Sequence, residues 1–250
     1  MPRTGEPGIR PRPARKQVAA FLTDPAGKAA LLLIAAAALV ITLTVVEARP
    51  ILRVDRAVAD HLHTAALENP DLTHASRIVT DWIVDPWTMR LLIVAAVVWL
   101  WHTRQRLVAL WTACTSAAEW AVRGVLRGII GRERPEWERP VDSAQFASLP
   151  SGHAMTAAAT CVLLLWLARR AGAPAGLVRA GVAVAVLAVA AACFTRVFLG
   201  VHWLTDTLAG ALLGAAFAAF AIAAWHARGP HGRTSAGTGA RAGAAPRRMP

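Results

Sequence analysis

The chain has 250 residues, 56% of them hydrophobic and only 17% charged, with a formal net charge of +12. That balance is too apolar for an ordinary water-soluble domain and places the chain in the membrane class. The three cysteines, Cys114, Cys161 and Cys193, fall inside apolar runs at spacings that fit no metal motif, so they imply no disulfide framework and are expected to be buried thiols.

The charge is concentrated at the ends. Arg3, Arg10, Arg12, Arg15, Lys16 and Lys28 against Glu6 and Asp24 give residues 1–28 a net of +4, and Arg228, Arg233, Arg241, Arg247 and Arg248 give residues 226–250 a net of +5. Both ends are rich in Pro, Gly, Ala and Arg and poor in large apolar side chains. Residues 1–27 and 227–250 therefore read as disordered basic cytoplasmic tails around a membrane domain at 28–226. Beside transmembrane helices such tails favour anionic lipid over nucleic acid as a partner.

Between the tails the fold class is all-α, a polytopic membrane helical bundle with about six transmembrane helices. A bilayer core takes about 20 apolar residues as helix. Lys28 to Val46 is the first such run; it is too long for the apolar part of a cleaved signal, and the Glu47-Ala48-Arg49-Pro50 exit is a poor cleavage site, so an anchor is expected. Between the first two spans, Leu52, Val54, Ala57, Val58, Leu62 and Ala65 fall on one side of a helix and Asp55, Arg56 and Asp60 towards the other. That fits either a helix in the outer interface or a plain connecting helix. The remaining spans are expected at about 86–101, with a helical lead-in from Leu72, then 107–125, 152–167, 177–198 and 203–225. Trp87, Trp101, Trp166, Trp203 and Trp225 sit near these ends as an interfacial belt, while Trp120 does not fit that pattern and is expected simply to pack.

Short loops set orientation by their Lys/Arg content. Arg104 and Arg106 after the second span, Arg169, Arg170 and Arg179 after the fourth, and both tails would be cytoplasmic. The acidic 47–85 connection, residues 127–150 and residues 195–202 would then face out. Arg127, Arg132, Arg134 and Arg139 oppose that signal in an outward loop, and anion binding would explain them.

Three motifs carry chemistry. Arg127 and Arg134-Pro135 place two guanidinium forks seven residues apart, suited to phosphate oxygens. Pro150-Ser151-Gly152-His153 opens the fourth span: Ser151 can cap the helix, its first-turn amides favour an anion, Gly152 lets a ligand come close, and His153 can move a proton. Arg196 precedes His202 and Asp206, whose spacing of four puts both on one helical face. A carboxylate on one ring nitrogen leaves the other free as a nucleophile. Glu119 and Arg123 read as a supporting ion pair within the third span.

Joined in this order, R-x6-R-P, P-S-G-H and T-R-x5-H-x3-D, the residues resemble the type-2 phosphatidic acid phosphatase superfamily, relatives of the vanadium haloperoxidases. That signature has Lys where this chain has Arg127 and Ser where it has Thr195; both replacements keep the donor. The resemblance implies metal-free hydrolysis of a lipid phosphomonoester or diphosphate in two steps, with no cofactor. In it His202 is the nucleophile, Asp206 its orienter and His153 the general acid, while Arg127, Arg134, Ser151, Gly152 and Arg196 bind phosphate. A lipid phosphate is the implied substrate, with polyprenyl diphosphate, phosphatidic acid and phosphatidylglycerol phosphate as types, handled at the outer face of the cell membrane. A lipid phosphotransferase using the same site, and a non-enzymatic transporter or scaffold, are the alternatives.

Overall fold

The structure, a computed structural model, describes residues 13–229. Among them the regular elements are helices: α1 (Ala14–Thr23), α2 (Pro25–Val45), α3 (Arg49–Glu68), α4 (Pro70–Ile78), α5 (Pro86–His102), α6 (Arg106–Ile130), α7 (Gly152–Arg170), α8 (Ala175–Phe198) and α9 (Leu204–Ala227). A π-helical turn, Val79–Ile83, links α4 to α5. Pro25, Pro70 and Pro86 open their helices, where a missing N–H costs nothing. Asp24 and Asp85 cap two of these starts, accepting from the amides of Ala26 (2.8 Å) and Trp87 (2.7 Å).

Five segments are long and apolar enough to cross a membrane: Pro25–Val45, Pro70–His102, Gly152–Arg170, Ala175–Phe198 and Leu204–Ala227. The 25-residue α6 would reach about 37 Å at 1.5 Å per residue, but Glu119, Arg123 and Arg127 lower its hydropathy. It packs on α5, and the count of six is approximate. Large apolar side chains on the outer faces of α2, α5 and α8 are open to the surroundings, Leu187 at 68% exposure among them. Lipid tolerates such a surface and water rarely does. This is a multi-pass, all-α membrane protein.

The helix α9 lies at the centre, packed on α2 and α7. A Cβ on Gly214 would stand 2.0 Å from the carbonyl oxygen of Met155, and one on Gly210 2.6 Å from that of Ser151. Glycine alone allows α7 and α9 to approach so closely. That approach brings the first turns of both helices together, and the Ser151 amide donates to the Asp206 carbonyl at 3.0 Å. Beside them Ala66 of α3 packs with Phe198, Leu199 and Val201 at the α8–α9 turn.

Several expectations need correction. Residues 14–23, placed in a disordered tail by composition, form α1, which packs on α9 with Phe21 against Phe220 at 5.0 Å between ring centroids. Residues 1–12 and 230–250 of the expected tails lie outside the described residues. Asp55, assigned to the polar side of its helix, is buried along with Ala59, His63 and Ala66. Cys114, expected to be a buried thiol, is exposed on α6, and Trp120 on the same helix is exposed as well. Glu119 and Arg123 make no direct ion pair among the described residues; Glu119 accepts a hydrogen bond from the Thr156 hydroxyl at 3.4 Å.

Candidate active site

At its C-terminus α6 presents Arg123 and Arg127, one turn apart on its inner face, and stops at Gly131, whose φ of +62° is the left-handed cap. Arg134 therefore does not continue the helical face of Arg127. It arrives from the loop that follows, which folds back on itself. The Ser148 amide donates to the Arg132 carbonyl (2.8 Å), Arg134 Nε to the Phe146 carbonyl (2.9 Å) and Trp203 Nε1 to the Glu133 carbonyl (3.0 Å). Arg134 Nη1 also donates to the Val201 carbonyl.

Arg123 and Arg127 close on the start of α7. A Cβ on Gly152 would meet Arg123 Nη1 at 2.1 Å and Arg127 Nη2 at 3.0 Å, while Arg127 Nε donates to the Pro150 carbonyl at 3.2 Å. Ser151 occupies the N-cap position without capping through its side chain; its hydroxyl is buried and has no partner among the described residues. First-turn amides of α7 have no partner within their own helix. The next residue, His153, holds Nε2 3.7 Å from Asp85 Oδ2.

The third part is the α8–α9 turn. Gly200 adopts φ of +72°, and its carbonyl accepts from Trp137 Nε1 at 2.8 Å; Trp137 in turn stacks on His63 with ring centroids 3.9 Å apart. Arg196, in the last turn of α8, is buried, with Nη1 3.4 Å from the Thr80 hydroxyl and 3.7 Å from Asp142 Oδ2, and its Nε without a partner. His202 stands outside α9, one residue before the N-cap Trp203. Its closeness to Asp206 thus comes from a cap and not from a shared helical face. Asp206, at the third helical position, accepts the Trp203 amide at 2.9 Å and faces His202 Nδ1 at 3.3 Å with the same Oδ2.

The geometry also fixes the tautomer. Arg134 Nη1 lies 3.2 Å from His202 Nε2, and a guanidinium can only donate. Nε2 is therefore the unprotonated nitrogen, and Nδ1 carries its hydrogen towards Asp206. Burial pushes the His202 pKa down to about 4, against the hydrogen bond to Asp206, which acts in the opposite direction. Burial together with neighbouring Arg196 lowers Arg134 to about 10, which leaves it charged at neutral pH.

All eight residues singled out by motif, Arg127, Arg134, Ser151, Gly152, His153, Arg196, His202 and Asp206, thus gather at one end of the bundle. Two residues were missed. Arg123 joins the arginine cluster, and its four-residue spacing from Arg127 was the available signal. Arg132, expected with the other arginines of the outward loop to bind an anion, was missed as a partner of Asp206, to whose Oδ1 it donates at 2.5 Å. Chemically the cluster offers several cationic donors, one unprotonated ring nitrogen with its orienting acid and a second histidine. That set suits an anionic, tetrahedral group which exchanges a ligand. Among the described residues no three His, Cys, Asp or Glu side chains gather to hold a metal ion.

The model of the PAP2 superfamily matches residues 107–230. Among solved structures, the chain is similar to a transmembrane PAP2-type phosphatidylglycerolphosphate phosphatase from Bacillus subtilis, with a TM-score of 0.62 and 24% identity over 81% of this chain and 92% of that one. At that identity the likeness speaks for the fold. No curated protein matches the chain. Every motif residue falls within residues 107–230, the segment that matches the PAP2 superfamily model.

Proposed function

We propose that this protein is an integral-membrane lipid phosphatase that hydrolyses a phosphomonoester or diphosphate lipid through a phosphohistidine. The observation that carries the reading is the unprotonated Nε2 of His202 facing Arg134, with Asp206 behind the ring. The Nε2 lone pair attacks phosphorus and the bond to the leaving oxygen breaks, with His153 giving that oxygen a proton. His153 then takes a proton from water, which attacks the same phosphorus; the N–P bond breaks and phosphate leaves. Arg127, Arg134, Arg196, the Ser151 hydroxyl and the Gly152 amide hold the phosphoryl oxygens as charge spreads over them. Asp206 stabilises the positive ring of phosphohistidine. No step needs a metal or an organic cofactor.

Arginine distribution supports an extracytoplasmic site in the cell membrane with both termini inside. The substrate class is a polyprenyl diphosphate, phosphatidic acid or phosphatidylglycerol phosphate. The Bacillus subtilis relative puts the last of these first on a panel. Phosphate release from these lipids by purified protein in detergent, with excess chelator, tests the reading. Release that persists, and that vanadate inhibits as a mimic of the five-coordinate phosphorus, is expected. Strict dependence on a divalent ion would overturn the mechanism.

A further inference from the structure

We infer that Asp55, on α3 and outside the family-matched segment, is a positioning residue that acts on His202 through Arg132 and Asp206; this rests on the phosphatase reading above. Asp55 is 1% exposed. A carboxylate is costly to bury unless each oxygen is satisfied. Here Oδ1 accepts the Thr205 amide at 2.9 Å, and Oδ2 accepts the Thr205 hydroxyl at 2.6 Å and Arg132 Nη2 at 2.8 Å. The other end of the same guanidinium, Nη1, donates to Asp206 Oδ1 at 2.5 Å and to the Thr205 hydroxyl at 2.8 Å. Arg132 also lies over the Trp203 ring, 5.5 Å from its centroid.

The result is an alternating chain of charges: Asp55, Arg132, Asp206, then the ring of His202. Each member except the guanidinium is fully buried, so little solvent screens their coupling. Arg132 is shared between two carboxylates, which leaves Asp206 more of its negative charge for the Nδ1–H side of His202. Asp55 also binds the Thr205 amide in the first turn of α9, directly after the residues that carry the nucleophile. Without the Asp55 charge, Arg132 would turn wholly to Asp206, and that acid would stabilise the positive phosphohistidine less. The motif pattern begins at Arg127, so an acid on the preceding amphipathic helix falls outside it. Tertiary packing of α3 on α8 and α9 supplies it instead.

The test uses the full chain in detergent and a lipid phosphate that the wild type hydrolyses. Asp55→Asn keeps the shape and an acceptor for Thr205 while removing the charge. Its kcat should fall about tenfold, the middle of the range for coupled neighbours, with KM within about twofold. Because Asp55 acts through Asp206, the double variant with Asp206→Asn should be no slower than Asp206→Asn alone. A tie that served only to hold α3 in place would leave kcat per folded molecule unchanged and would act independently of Asp206. Should Asp55→Asn fail to fold, Arg132→Lys, which keeps one cation at Asp206 but cannot bridge both acids, should show the same loss of kcat. Full kcat in either variant, or a double variant slower by the product of the two single losses, overturns the inference and leaves the phosphatase reading intact. A folded wild type that releases no phosphate from any lipid overturns the reading, and the inference with it.

Discussion

Arg134 holds Nη1 3.2 Å from Nε2 of His202, so the nitrogen placed to attack phosphorus rests against a cation placed to bind the phosphate. An arriving phosphoryl oxygen, a better acceptor for guanidinium than a neutral ring, would draw Arg134 away and uncover the lone pair. Binding and activation would then be one event.

The same pair gives a prediction about pH. His202 is lowered from 6.5 to about 4, chiefly by burial. Ring nitrogen shifts measured by NMR should therefore stay at neutral values from about pH 7.5 to about pH 5. The unfolded chain takes up this proton near 6.5 and the folded one resists to about 4, so the folded state loses stability as pH falls through that window. Arg134 contributes to the depression, and Arg134→Ala should raise the titration midpoint. A wild-type midpoint near 6.5 would contradict the buried, neutral nucleophile.

The two histidines should fail differently. His202→Ala should abolish both turnover and the phosphoenzyme. His153→Ala should be milder on an activated aryl phosphate, whose leaving group needs no proton. General acid catalysis is worth about 10²–10⁴-fold, so the rescue should be measurable. Mass spectrometry after a rapid acid-free quench should place trapped phosphate on His202. Phosphate on His153, or near-normal turnover by His202→Ala, would reverse the roles.

The proposed orientation rests on arginines at the opposite end of the bundle: Arg104 after α5, Arg106 at the start of α6, and Arg169 and Arg170 at the end of α7. In a chain whose native cysteines are replaced by alanine, an impermeant maleimide on intact cells should label Cys introduced at exposed Ser143 and spare one at exposed Ala171. The reverse pattern would move the site to the cytoplasmic face.

What the sequence made legible was whatever rests on local pattern. Apolar runs of bilayer length placed α5 to α9 within a few residues of their ends, because the faces that meet lipid must be apolar. The site motifs were legible because their residue types are too costly in a membrane to be incidental. Relations made by packing were not legible. Asp55 read as polar surface because helical periodicity cannot know that Thr205 and Arg132 will satisfy it inside. Ser151 has the residue type of a cap, yet its hydroxyl makes no capping bond. His202 and Asp206 were matched for the wrong local reason, since a cap meets the same spacing as a helical face.

Gly152 allows the sharpest test of the arginine cluster. Added there, a methyl group would stand 2.1 Å from Arg123 Nη1 and 3.0 Å from Arg127 Nη2, the tips of two flexible side chains. They can swing aside, and the first turn of a helix accepts alanine readily, so the fold should survive. Their displacement from the start of α7 is what should matter. A misplacement of about 1 Å in groups that hold the reacting phosphate can cost about 10²-fold. Gly152→Ala should therefore retain its thermal midpoint within a few degrees while kcat/KM falls by about that factor, and its affinity for vanadate should fall in parallel. Arg123→Lys, which keeps charge but loses the fork, should weaken vanadate binding as well. Unchanged vanadate affinity in both variants would remove Arg123 from the phosphate site and return it to a structural role beside Glu119.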